Sequence, residues 1–170
     1  MKLLFISLGC DKNLVDSEEM LGMLAADGHE IVDDEDEAEV IIVNTCCFIG
    51  DAKEESVNTI LEMAEKKKAG TCKVLIVTGC MAQRYKKEIS EEIPEVDAIL
   101  GTTSYGDISK AVKEAQAGRH FEEYKSIDFL PDISGKRMLT TGGHFAYLKI
   151  AEGCDKHCTY CIIPKLRGSY

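Results

Sequence analysis

The sequence predicts an α/β fold, a doubly wound parallel sheet, and three observations carry that prediction. Short apolar runs recur at residues 3–8, 40–44 and 73–78, each rich in Val, Ile or Leu on consecutive positions, as strands buried on both faces are. A stretch with helical spacing of apolar residues follows each run, and strands alternating with helices imply right-handed crossovers with helices on both faces. The 170 residues, 45% hydrophobic, suffice for one full domain with a core and part of a second.

The elements follow in order. Leu3 to Leu8 reads as the first strand, closed by Gly9. A helix capped by Asp16 or Ser17 follows, with Met20, Leu21, Leu24 and Ala25 on one face and Gly28 as its stop. Glu30 to Val32 is a short edge strand, and the acidic run from Asp33 to Glu39 a solvated loop. Val40 to Asn44 is the next buried strand. Asp51-Ala52-Lys53-Glu54 has the form of a capping box for a long helix whose stripe is Val57, Ile60, Leu61 and Ala64, with Lys66, Lys67 and Lys68 at the negative end of its dipole. After the strand Lys73 to Thr78, a helix runs from Cys80 toward Pro94. Ala98 to Gly101 is a short strand, and Ser104 caps a last helix through Ile108, Ala111, Val112 and Ala115 to Gly118. About five strands in this alternation suggest the flavodoxin-like order 2-1-3-4-5 over residues 1–118. Residues 119–144, with Pro131, Gly135, Gly142 and Gly143, read as a linker. Phe145 to Ile150 reads as one more strand, which delivers a cysteine-rich loop at its carboxyl end as the first strand of a barrel would.

Charge is distributed unevenly. The net −10 divides into 12 Lys/Arg against 24 Asp/Glu through residue 118 and 8 against 6 beyond it. The acidic first part repels a nucleic-acid backbone, which argues against direct nucleic-acid binding there. The apolar start of the chain is shorter than a secretory core, and Gly9-Cys10-Asp11 is no small-residue cleavage site. No apolar run approaches the ~20 residues that span a bilayer. The expectation is a soluble, cytoplasmic protein with reduced cysteines.

The cysteines carry the chemistry. Cys154, Cys158 and Cys161 form a C-x3-C-x2-C run, with Tyr160 before the last. Three thiolates this close can ligate three corners of a cubane iron-sulfur cluster and leave one iron open. A zinc site would need a fourth ligand, for which His157, next to Cys158, is badly placed, and His144 lies outside the loop. Disulfides fit a secreted context that the chain lacks. A second set is dispersed. Cys10, Cys46 and Cys80 each follow a predicted strand, and in a parallel sheet all carboxyl ends lie along the edge where open α/β sheets bind ligands. Taken singly, each is a small residue suited to a tight turn; together they form a candidate second metal site with helix N-termini beside it. Cys72 precedes its strand and belongs at the opposite edge. Geometry alone does not choose between Cys46 and Cys47.

The C-x3-C-x2-C run resembles the cluster loop of radical S-adenosylmethionine (SAM) enzymes. Together with Ser7 to Glu18, Asn44-Thr45-Cys46 and Thr78-Gly79-Cys80, it makes nearly the whole chain similar to the methylthiotransferase family within that group. That resemblance implies two 4Fe-4S clusters: one on Cys154, Cys158 and Cys161 that binds SAM and generates a 5'-deoxyadenosyl radical, with Tyr160 in its loop, and an auxiliary one on Cys10, Cys46 and Cys80. It also selects Cys46 over Cys47. Leu8 to Glu18, Phe48-Ile49, Glu54-Glu55-Ser56 and Cys161 to Gly168 resemble the members that methylthiolate the β-carbon of an aspartate in a small-subunit ribosomal protein, rather than those that modify an adenosine of tRNA. Asp11 stands where that pattern has proline and Cys47 where it has glycine; neither change removes a ligand. An electron donor is implied as a partner. A flavodoxin-like binding or electron-carrier module with inert cysteines is a further alternative, although Leu8 to Lys12 makes a poor phosphate loop. Only nine residues follow Cys161, whereas a barrel takes on the order of 200. The expectation is the start of a radical SAM domain over 145–170 and no methylthiotransferase turnover by this chain alone.

Overall fold

A single parallel sheet of six strands organises the computed structural model, which describes residues 1–130 and 137–170. In chain order the elements are β1 (Lys2–Ser7), α1 (Asp11–Ala26), β2 (Glu30–Ile31), β3 (Val40–Thr45), α2 (Gly50–Lys68), β4 (Val74–Gly79), α3 (Cys80–Arg84), α4 (Lys86–Glu92), β5 (Ala98–Leu100), α5 (Ile108–Gln116), β6 (Phe121–Glu123) and α6 (Ile163–Arg167). The strand order is β2-β1-β3-β4-β5-β6, the predicted doubly wound order with one strand added beyond β5. Leu3 pairs with Val40, Val40 with Val74, Ile76 with Ala98, and Ala98 with Phe121.

Consecutive buried residues of the central strands feed two cores because successive side chains point to opposite faces. Val40, Ile42, Val74 and Ile76 pack with Met20 and Leu24 of α1 and with Ile108, Ala111 and Val112 of α5. Ile41, Val43, Leu75 and Val77 pack on the other face with Ile60, Met63 and Ala64 of α2 and with Met81, Ala82 and Ile89. A strand in this position has no polar side, so β3 and β4 read as unbroken apolar runs.

Several expectations are corrected. The sheet has six strands because Phe121–Glu123, inside the stretch read as linker, pairs with β5 and reaches across three residues only, too short for a periodic signal. Helix α1 starts at Asp11 with Cys10 as its N-cap, so Asp16 and Ser17 are buried interior residues instead of caps. Gly9, at φ +93°, turns the chain directly from β1 into that helix. Helix α2 starts at Gly50 behind Ile49 with no side-chain cap, so the Asp51–Glu54 capping box does not form. Its sheet-facing stripe is Ser56, Ile60, Met63 and Ala64, which leaves Val57 and Leu61 exposed. The helix toward Pro94 is two helices, α3 and α4, broken at Tyr85.

Phe145 to Ile150 is not a strand. A strand needs a ladder partner, none of the six strands pairs with it, and Leu148 and Ile150 stay 83% and 78% exposed. The described residues hold one sheet and no barrel. Pro131 and Gly135 lie outside the described residues.

Candidate functional site

Two glycines shape the carboxyl edge of the sheet. Gly9 and Gly79 both adopt positive φ, +93° and +94°, and each directly precedes a cysteine. A Cβ on Gly9 would stand 2.6 Å from Cβ and 2.9 Å from Sγ of Cys46; one on Gly79 would stand 2.3 Å from Asn44 Oδ1. The turn bearing Cys10 therefore lies against Cys46, and glycine is required by both conformation and space.

Cys10 caps α1 and is exposed, Cys46 follows β3 and is buried, and Cys80 opens α3 and is buried. All three line one cavity of about 1230 Å³, and Cys154 lines it as well. Phe48 and Ile49, both exposed, form part of its wall with Asp51 and Glu55. Cys47 is absent from that wall; its thiol points inward and donates to the Cys80 carbonyl at 3.3 Å. Cys72, two residues before β4, bonds the Val74 carbonyl at 3.1 Å and lies in the core. No three His, Cys, Asp or Glu side chains among the described residues stand close enough to hold a single metal ion. A cubane is wider than one ion, so its ligands need to surround a space, and thiols on three turns around a cavity suit that requirement.

The main chain around the thiols is fixed by buried polar side chains. Ser56 Oγ accepts the Cys46 N–H at 3.0 Å and donates to the Cys46 carbonyl at 2.8 Å. Asn13 Nδ2 donates to the Leu8 and Thr45 carbonyls, both at 2.9 Å, which joins the turns leading to Cys10 and Cys46. Asn13 Oδ1 faces the Cys80 thiol at 3.9 Å. Asn44 Nδ2 in turn donates to the Asn13 carbonyl at 2.9 Å. Each ligand-bearing turn is thus tied to another.

Residues 137–170 fold against the same edge. Arg137 and the Thr140 N–H donate to the buried Glu18 carboxylate. Lys149 Nζ reaches Asp16 at 2.5 Å, and Thr102 Oγ1 donates to the Leu166 carbonyl at 2.7 Å. Arg167, 2% exposed, donates to Asp16 Oδ2 at 2.8 Å, to Glu152 Oε2 at 3.0 Å, and to Asn13 Oδ1. Gly153 N–H bonds the Ser169 carbonyl at 3.0 Å and Cys154 N–H the Gly168 carbonyl at 3.1 Å, closing the base of the cysteine loop. At its far end Cys158 is exposed, Cys161 half-buried and Tyr160 90% exposed. Cys158, Tyr160 and Cys161 do not line the cavity that Cys154 reaches.

Burial sets the electrostatics of the thiols. It pushes the Cys80 thiol up, the Arg167 charge pulls it back, and the neighbouring Cys46 and Cys10 thiols push it up again. Burial and then Cys80 push Cys47 up to about 11. Iron ligands must be thiolates, so a bound cationic centre would supply the counter-charge that these thiols need.

Sequence reading missed Asn13, Arg167 and Glu152. Asn13 and Arg167 fall within the stretches that carry the resemblance, but no spacing rule connects an asparagine in the first turn of a helix with an arginine 154 positions later.

The class that fold and site define is a doubly wound domain with cysteines at three strand ends. The chain belongs to the family described as "Uncharacterized protein family UPF0004", whose model matches residues 2–101. Among curated relatives, a protein named "Ribosomal protein uS12 methylthiotransferase RimO" from Lachnoclostridium phytofermentans is 64% identical over 170 residues, all of this chain and 39% of that protein. Proteins of the same name from Clostridioides difficile and Trichlorobacter lovleyi are 52% and 50% identical, over 100% and 99% of this chain and 38% of each relative. The chain therefore spans about two fifths of the length of these relatives, as their N-terminal part. The expected resemblance to methylthiotransferases is borne out by those names.

Proposed function

We propose that this chain is the N-terminal part of a radical SAM methylthiotransferase that adds a methylthio group to the β-carbon of an aspartate in ribosomal protein uS12. The observation that carries the reading is one cavity lined by Cys10, Cys46, Cys80 and Cys154, contributed by three strand ends and the C-x3-C-x2-C loop. The names of the relatives supply the substrate. Cys10, Cys46 and Cys80 would hold the auxiliary 4Fe-4S cluster, and Cys154, Cys158 and Cys161, with Tyr160 in their loop, the cluster that takes SAM.

An unactivated C–H bond offers no proton to a side chain at neutral pH, so general-base catalysis does not reach it. The bound cofactors would supply the radical and the sulfur. The residues of this chain do the rest. Gly9 and Gly79 bring the turns together, Ser56 and Asn13 fix the peptides beside the thiols, and Phe48 and Ile49 give the cavity an apolar wall. In this reading the sheet through β6 makes residues 1–123 the auxiliary-cluster domain, with a linker from there to 144 and the start of the radical SAM domain over 145–170. An electron donor and the ribosomal protein are the partners, and the cytoplasm is the location. Among the described residues no helix is long and apolar enough to cross a membrane.

Two measurements test the reading. Anaerobic reconstitution followed by iron and sulfide counting should give two clusters in this chain and one in Cys10→Ala. In a strain lacking the full gene, mass spectrometry should show a missing methylthio group on uS12 and intact tRNA; loss from tRNA instead would assign the chain to the adenosine-modifying branch.

A further inference from the structure

Arg167 has no part in the proposed ligand set, yet it is the best-buried cation at the cavity. We propose that Arg167, delivered by α6 just after the cysteine loop, is a positioning residue for the auxiliary site that sets the electrostatic potential at Cys80 and so the reduction potential of the cluster held there. The inference rests on the assignment of Cys10, Cys46 and Cys80 to that cluster.

Three observations support it. First, the guanidinium donates to Asn13 Oδ1, the same atom that Cys80 Sγ faces at 3.9 Å, and Arg167 and Cys80 line the same cavity. Asn13 is the side chain that ties the Leu8 and Thr45 carbonyls, so Arg167 touches the one group common to all three turns. Second, the charge cannot relax into solvent, because Arg167 is 2% exposed and its fork is held by Asp16 and Glu152. Lys149 bonds those same two carboxylates, so two acids and two bases form a quartet of zero formal charge. Third, the quartet is oriented: Arg167 lines the cavity together with Cys80, whereas Lys149 does not. In a low-dielectric site such a fixed cation stabilises added negative charge, and reduction adds an electron.

The sign of each perturbation follows. Arg167→Met removes the cation and leaves two carboxylates against one lysine, which should make the potential more negative. Asp16→Asn keeps Arg167 and removes one carboxylate, which should make it more positive. Lys165→Met removes the same charge from an exposed position of the same helix and should leave the potential where it was. Arg167→Lys should fall between wild type and Arg167→Met, since an ammonium keeps the charge but not the fork.

The experiment uses the chain with Cys154, Cys158 and Cys161 changed to Ala, so that only the auxiliary cluster can form. Each variant is reconstituted anaerobically, its iron counted, and its midpoint potential read by electron paramagnetic resonance during redox titration. Opposite shifts for Arg167→Met and Asp16→Asn, with Lys165→Met unmoved, are expected. Equal potentials at equal iron content would overturn the role of Arg167 while leaving the ligand assignment standing. Absence of iron in the parent chain would overturn the ligand assignment itself. Should Arg167→Met fail to fold, Asp16→Asn decides alone: an unchanged or more negative potential sinks the proposal.

Discussion

Gly9→Ala probes the approach of two ligand turns most directly, because the structure separates its two costs. The first is conformational. Gly9 lies at φ +93°, and holding an L residue in such a region costs roughly 1–3 kcal/mol. The second is steric. A new Cβ would meet Cys46 Cβ at 2.6 Å and Sγ at 2.9 Å, so the turn after β1 or the turn after β3 must move. Gly28→Ala carries only the first cost, at φ +85° with nothing within 4 Å. In a chain of this length each 1 kcal/mol lowers Tm by about 2–4 °C. Gly28→Ala should therefore melt a few degrees below wild type and bind iron normally. Gly9→Ala should melt lower still and lose a large part of its iron, because the displaced atoms carry the Cys46 thiol. Thermal melts of the apo chain, paired with iron counting after anaerobic reconstitution, give both readings. Equal melting and equal iron content for the two variants would refute the close approach on which the cavity argument depends.

Other perturbations give equally definite expectations. Ser56→Ala strips both partners from the Cys46 peptide and should cost about 1–3 kcal/mol per unpaired buried group, seen as a lower midpoint in urea and reduced iron uptake. Cys72→Ala should leave iron content unchanged, since that thiol lies in the core at the far end of β4; a drop in iron would misplace the site. Glu18 controls the docking of residues 137–140. Burial pushes its carboxyl up, but the Thr140 N–H and Arg137 hold it below its usual range. A depressed folded-state pKa means the contribution is complete above the unfolded value near 4.5 and disappears as pH falls through the folded one. Limited proteolysis near Arg137 should accelerate at acid pH. Glu18→Gln should already show that sensitivity at neutral pH, with about 1.5–3 kcal/mol lost from each charge-assisted bond removed.

What the sequence determined by itself was the alternation of elements, because strands buried on both faces must be continuously apolar and therefore stand out. It also placed Cys10, Cys46 and Cys80 at one edge, since parallel connections allow no other arrangement. Local signals served less well where tertiary contacts outweighed them. Asp16, Ser17 and Glu18 look like helix-start residues, yet they are buried inside α1 because residues 137–167 bring Arg137, Lys149 and Arg167 to meet Asp16 and Glu18. Phe121–Glu123 gained strand structure only from an open edge of β5, and Phe145–Ile150 lacked any such neighbour. Strand geometry left the choice between Cys46 and Cys47 open and only the resemblance favoured Cys46; the tertiary structure supplies the physical reason, since Cys46 faces the cavity while Cys47 turns to the Cys80 carbonyl. Tertiary structure alone decided that Asn13 and Arg167 meet beside Cys80: hydrogen bonds between residues 154 positions apart leave no periodicity in a chain, because only folding makes them neighbours.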